Sequence, residues 1–303
     1  MDAADKLLKF LQFKVVRRLD GIMQGDYTGI FYGPGMELGE VREYQLGDDV
    51  RRIDWNVTAR TNRVHVRQYI EEREITAWLL VDLSPSIDFG TSLQSKHDLV
   101  TEFVGLMAHL YTRHGNRVGL VAFSTEIDRV IPPAGGRIQT LRLIEAMQHA
   151  APASSNGKPA GTTDLATVLE RVQRFFRRRS LVFVVSDFIV PGGWERHLQN
   201  LAQRHDVVAV RVVDPREREL PDIGLLRLED PETGEQLWID TSHKPTRERF
   251  RAAVADRDRQ LAASLASAAV DLVTLSTAEP LIEPMLRFVA LRKRRRPWSS
   301  LGR

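Results

Sequence analysis

The sequence predicts an α/β protein, a doubly wound, mainly parallel sheet covered by helices on both faces and led by a small β-rich N-terminal unit. Two observations predict the sheet. From about residue 75, short apolar runs such as Ile75-Thr76-Ala77-Trp78-Leu79-Leu80-Val81 and Leu181-Val182-Phe183-Val184-Val185 alternate with segments whose apolar residues recur at helical spacing. Strands with no polar alternation are buried on both faces, as in parallel sheets flanked by helices. A third observation concerns the ends of those runs. They stop abruptly at small polar residues, D-L-S-P-S after the first and S-D after the second.

The elements follow in order. Residues 5–19 predict an amphipathic helix, with Leu7, Leu8, Leu11, Val15 and Leu19 on one stripe and Lys6, Lys9, Lys14, Arg17 and Arg18 largely off it. Such a helix either packs on its own domain, the reading favoured here, or touches a membrane surface. Residues 21–73 are punctuated by glycines and predict turns and short strands, among them Val41–Gln45 and Val64–Tyr69. Strands are then expected at 74–82, 117–124, near 128–131, at 181–187, 207–213 and 271–275. Helices are expected at 95–114, 137–149, 164–178, 193–204, 246–267 and 280–292. A hairpin pairs 225–228 with 236–240 around P-E-T-G-E, and Ala151–Gly161 is a loop by composition. The chain thus divides into an N-terminal helix (1–20), a β-rich unit (21–74) and a main domain (75–303) ending in a hairpin-helix-strand-helix extension.

Bulk properties narrow the function classes. Hydrophobic residues make up 43% and charged residues 27% of the 303, ordinary for a soluble globular chain. The net charge is only +3, and the absence of cysteine excludes a disulfide scaffold, a thiolate metal site and a thiol nucleophile. No apolar stretch approaches the roughly 20 residues of a transmembrane helix, and the N-terminus lacks a signal-peptide core. A cytoplasmic protein is expected. There is no P-loop, no G-x-S-x-G and no G-x-G-x-x-G after a strand, so nucleotide hydrolysis, serine esterase chemistry and dinucleotide binding lack their usual hardware. The Arg177-Arg178-Arg179 run and the Arg292–Arg296 tail could hold phosphates, but no recognition motif accompanies them. No specific nucleic acid partner is expected.

In open α/β sheets, ligands bind beyond the carboxyl ends of the strands near a switch in strand order. Asp82 and Asp187 stand at two such ends, Ser84 and Ser86 follow the first, and Thr163 arrives on A-G-T-T-D-L just before a helix. Taken singly, the serines are helix caps or turn residues and Asp187 a turn residue. Together the five form an oxygen-only donor set suited to a hard cation, Mg²⁺ first and Mn²⁺ second. Three of the five donors are neutral hydroxyls, so the ion stays incompletely neutralised. A Glu or Asp carboxylate from another protein is the natural sixth ligand.

These residues also carry a resemblance. D-L-S-P-S, G-T-T-D-L and V-S-D-F resemble the three parts of the metal-ion-dependent adhesion site of von Willebrand factor A-like domains, a Rossmann-type fold. The resemblance gives Asp82, Ser84, Ser86, Thr163 and Asp187 the ligand roles, with Asp187 often acting through water. Upstream, V-R-E-Y-Q-L-G-D-D-V-R-R-I-D-W-N-V-T-A-R resembles the hallmark of the bacterial "domain of unknown function fifty-eight" family, on Arg42, Tyr44, Gly47, Asp48, Asp49, Arg51, Ile53, Asp54, Trp55, Ala59 and Arg60. D-P-R-E-R-E-L-P-D-I-G-L and D-P-E-T-G-E also resemble it. The resemblance implies a non-enzymatic module that works with a MoxR-type AAA+ ATPase in assembly or maturation of protein complexes. Many members carry transmembrane helices ahead of this region, and this chain resembles the shorter form.

Read from the residues alone, the 42–60 cluster interleaves Asp48, Asp49 and Asp54 with Arg42, Arg51, Arg52 and Arg60. Bidentate arginine–carboxylate pairs are expected. They either form an interaction surface or, as favoured here, staple the β-rich unit to the sheet with Trp55 as apolar anchor. The competing functional reading is a haloacid-dehalogenase-like phosphohydrolase built on Asp82. Such enzymes need a second Asp two residues on, where this chain has Ser84, and no lysine visibly completes the site. The client protein, the oligomeric state and whether the metal is held at rest are not written in the sequence.

Overall fold

The computed structural model describes residues 3–11, 41–45, 48, 50, 53–67, 75–150 and 163–295. Its centre is a six-stranded sheet of β3 (Thr76–Asp82), β4 (Arg117–Phe123), β5 (Ile127–Ala134), β6 (Leu181–Ser186), β7 (Asp206–Val213) and β10 (Asp271–Ser276). The spatial order is β10-β7-β6-β3-β4-β5, and every neighbouring pair is parallel except the edge pair β4–β5. The predicted doubly wound α/β sheet is therefore present. After β3 the chain moves outward through β4 and β5, then returns to place β6 on the other side of β3. That reversal opens a crevice at the carboxyl ends of β3 and β6.

The two faces of β3 show why its run is continuously apolar. Ala77, Leu79 and Val81 join a core with Leu99, Phe103 and Met107 of α3 (Lys96–Arg113), Leu143 and Met147 of α4 (Gly136–Gln148), and Met285 and Phe288 of α8 (Ile282–Arg295). Trp78 and Leu80 face the other core. There they meet Leu165 and Leu169 of α5 (Leu165–Val172), Leu198 of α6 (Trp194–Arg204), and Leu261 and Leu265 of α7 (Lys244–Ser267). Fully burying one such side chain contributes about 1.5–3 kcal/mol, so the central strands have no residue to give to solvent. Edge strand β5 is different: only Ile131 is buried, and the strand accommodates Pro132 and Pro133, which the middle of a sheet would exclude.

Helix α1 (Ala3–Phe10) packs on the main domain, as favoured from its stripe. Leu8 and Leu11 are fully buried, Leu8 against Ile144, and Arg137 pairs with Asp5 at 2.9 Å. Val15 and Leu19 lie outside the described residues. The predicted helix over 164–178 ends at Val172. The following turn drives Phe176 inward, its ring 5.1 Å from Trp78 and 5.3 Å from His205.

The N-terminal segment departs further from expectation. Strands β1 (Val41–Glu43) and β2 (His65–Arg67) pair antiparallel, but a helix, α2 (Trp55–Thr61), lies between them. Asp54 starts that helix, accepting from the N–H groups of Asn56 at 3.0 Å and Val57 at 3.2 Å, so it serves as an N-cap. Trp55 is 69% exposed and does not anchor the unit as expected. The bidentate expectation holds for Arg42, which grips Asp48 through two contacts of 2.7 Å. The Tyr44 N–H donates to the Val64 carbonyl, and Arg60 Nε to the Asn56 carbonyl. Gly47, Asp49 and Arg51 lie outside the described residues. A separate hairpin, β8 (Leu225–Glu229) with β9 (Gln236–Asp240), forms as predicted around P-E-T-G-E.

Candidate metal centre

Asp82 is the last residue of β3, and the β3–β6 register, Val81 opposite Val185, brings it beside Ser186. The Ser186 hydroxyl donates to Asp82 Oδ2 at 2.7 Å, and the Ser84 N–H donates to Asp82 Oδ1 at 2.9 Å. This second contact is an Asx-turn, which ends the strand and turns the chain into a single 3₁₀ turn, Pro85–Asp88. The turn sets the Ser84 and Ser86 hydroxyls 3.0 Å apart. Asp82, Ser84 and Ser86 thus form one compact group on one loop.

Asp187 follows β6. Its Oδ1 accepts from the Ile189 N–H at 2.9 Å, while Phe188 between them adopts a left-handed φ of 57°. That conformation is uncommon for a non-glycine residue. It is stabilised by the Phe188 N–H, which donates to the Ser186 hydroxyl at 3.0 Å. Asp187 Oδ2 meets the Lys96 ammonium at 3.0 Å, and the same ammonium meets Glu217 Oε1 at 2.6 Å. Lys96 is fully buried.

Thr163 precedes Asp164, the N-cap of α5, whose carboxylate accepts from the Thr167 N–H at 3.1 Å. Thr163 is 0% exposed. Its N–H donates to Glu232 Oε2 at 3.2 Å. Its hydroxyl has no partner at hydrogen-bond distance, although it is near enough to Glu232 to favour that carboxylate's charge. Thr162 lies outside the described residues.

The electrostatics tie these groups together. Burial first, and Asp187 second, push the Asp82 carboxyl up to about 7, against hydrogen bonds from Ser186 and Ser84 that favour its charge. Burial, with help from Asp187 and Asp230, likewise raises Glu232. Lys96 behaves in the opposite sense. Burial alone would lower its pKa, but Asp187 and Glu217 outweigh it and hold the ammonium charged. At the next strand end, Asp214 is buried, yet hydrogen bonds from the Thr277 and Thr91 hydroxyls keep its carboxyl below the usual range.

The donor set fits a hard, oxygen-seeking cation. Two neighbouring buried carboxylates oppose each other's charge, and a fully buried threonine hydroxyl has no partner. Both conditions are relieved by a divalent ion. Asp82, Ser84, Ser86 and Thr163 would hold it, with Asp187 behind them and tethered by Lys96. Among the described residues no three acidic or imidazole groups converge at ligand distance, so the hydroxyls are essential to such a site. Bound there, the ion would supply positive charge and an open coordination position.

Four participants escaped the sequence reading. Ser186, beside Asp187, carries no sequence signal of its contact with Asp82. Lys96 reads as the first residue of an ordinary helix, and its two partners are 91 and 121 residues away. Glu217 and Glu232 sit in D-P-R-E and D-P-E-T-G-E, noted only as family-like segments. The lysine corrects the expectation that none reaches the site.

Fold and site together define an open α/β protein with an oxygen-lined crevice at the carboxyl ends of its central parallel strands. More specifically, the chain belongs to the family described as "Protein of unknown function DUF58", which matches residues 40–260. It is similar to the uncharacterized protein Rv1480 of Mycobacterium tuberculosis, 40% identical over 293 residues, 95% of this chain and 89% of the relative. A shorter relative, the uncharacterized protein MAV169 of Mycobacterium avium, is 37% identical over 168 residues, 54% of this chain and 94% of the relative. Among solved structures, the conserved hypothetical protein BatB from Bacteroides thetaiotaomicron aligns with a TM-score of 0.48 at 13% identity. That alignment covers 72% of this chain and 98% of BatB. No helix among the described residues is long and apolar enough to cross a membrane.

Proposed function

We propose that the chain is a non-enzymatic protein-interaction module. Its crevice holds Mg²⁺ on Asp82, Ser84, Ser86 and Thr163, with Asp187 supporting the ion, and the ion captures a Glu or Asp of a client protein. The observation that carries this reading is the buried carboxylate pair Asp82 and Asp187, linked through Glu232 to Thr163, whose buried hydroxyl has no partner at hydrogen-bond distance. A cation with an open position meets both needs and gives the surface a charge-dependent hook. By family resemblance, the working partner is a MoxR-type AAA+ ATPase, and the joint task is assembly or maturation of protein complexes.

The phosphohydrolase alternative gains a buried lysine, but loses on its placement. The Lys96 ammonium is held by Asp187 and Glu217, not directed at Asp82. Ser84, where an acid/base carboxyl is needed, cannot carry the proton at neutral pH.

Affinity capture on the immobilised chain, followed by mass spectrometry, tests the proposal. A MoxR-type ATPase is expected in the eluate when Mg²⁺ is present in excess, and absent with chelator or with Asp82→Ala. Equal recovery under all three conditions, or in none, refutes the metal-dependent hook.

A further inference from the structure

We propose that Glu232 is an internal acidic ligand of this centre, occupying the coordination position that a client carboxylate must take. The proposal rests on the metal reading above and deepens it. Glu232 lies at the tip of the β8–β9 hairpin, between exposed Pro231 and Thr233. It is nevertheless only 7% exposed. The turn is built to present it. Asp230 Oδ1 accepts the Glu232 N–H at 2.8 Å, the Gly234 N–H donates to the Asp230 carbonyl at 2.8 Å, and Gly234 takes a φ of 73° that suits glycine.

Burying a carboxylate without a cation is costly. Among the described residues no basic side chain pairs with Glu232, and the buried Lys96 is taken by Asp187 and Glu217. What does surround Glu232 is the Thr163 N–H at 3.2 Å, the nearby Thr163 hydroxyl and the fields of Asp187 and Asp230. The Thr163 donors favour the Glu232 charge, whereas burial and the fields of Asp187 and Asp230 oppose it, and a cation relieves that opposition. As arranged, three acidic groups do not converge at ligand distance. On this proposal the carboxylate enters the coordination sphere only when the ion binds. A client acid then competes with a residue already tethered to the site, so the hairpin sets the threshold for capture.

Mn²⁺ titration of the full chain, read by electron paramagnetic resonance and water-proton relaxation, tests this in wild type, Glu232→Gln and Asp82→Ala. The Gln variant keeps an acceptor for the Thr163 N–H and removes only the charge. Glu232→Gln is expected to weaken Mn²⁺ by about 10-fold or more, to add one exchangeable water to the bound ion, and to let millimolar acetate replace that water. Wild type resists acetate. Wild-type affinity and water count in Glu232→Gln, alongside loss of binding in Asp82→Ala, overturn the role of Glu232 alone. Wild-type binding in Asp82→Ala as well shows that the underlying metal assignment has failed. Unfolding curves in chelator separate either result from a folding defect.

Discussion

Lys96→Met is expected to destabilise the chain by about 3–5 kcal/mol, the cost of leaving buried carboxylates without their cation. The ammonium bridges Asp187 at 3.0 Å and Glu217 at 2.6 Å from a fully buried position. Local helix physics argues against a lysine there, because the N-terminus of α3 carries partial positive charge. The side chain is kept by its two distant acids. Methionine preserves most of the stem, so the deficit reports charge rather than volume. Glu217 also accepts from the Asp214 N–H at 3.0 Å, so the variant loosens the end of β7 too. The lysine pKa is raised on folding. Its contribution is therefore full below the ordinary lysine value near 10.4 and fades only as pH passes the raised one. The deficit should be constant between pH 7 and 9. Urea unfolding in chelator measures it, and a loss under about 1 kcal/mol contradicts the bridge.

Asp82→Asn is expected to have opposite effects on binding and stability. Removing the central carboxylate should weaken Mg²⁺ at least about 100-fold. In chelator at pH 8, however, the variant should be more stable than wild type. The carboxyl is raised to about 7 by burial and by Asp187. Between pH 4 and 7 the folded chain thus binds more protons than the unfolded one, so stability falls as pH rises through that window. Above it the full penalty applies, at most about 4 kcal/mol at 1.36 kcal/mol per pH unit. Asparagine carries no charge to penalise, and it can still accept the Ser84 N–H and donate to Ser186. A gain of about 1–3 kcal/mol at pH 8, and the loss of that pH slope, are the expected readings. Lower stability at pH 8 with Mg²⁺ affinity unchanged contradicts both the burial and the ligand role.

The sheet was legible because its central strands are covered on both sides, which leaves continuous apolar runs that end where the chain meets the crevice. The same abrupt endings exposed Asp82, Ser84, Ser86 and Asp187, and the start of α5 exposed Thr163. The charges that complete the site were hidden by distance. Lys96 carries no local signal of its partners, and Glu232 sits in a turn whose other residues are solvated. The N-terminal segment misled for a different reason. Asp54 sits among arginines, and its carboxylate also caps α2, a role that the interleaved charges do not announce. W-N-V-T-A-R-T has no apolar stripe, so neither that short helix nor the exposure of Trp55 could be read from periodicity.

Crystals of the chain grown with Mn²⁺ and measured at the manganese absorption edge put the central claim to its most direct trial. An anomalous peak about 2.0–2.3 Å from Asp82 and from the hydroxyls of Ser84, Ser86 and Thr163, with Asp187 within hydrogen-bonded reach, is the predicted result. A peak on other residues, or none at saturating Mn²⁺, contradicts it.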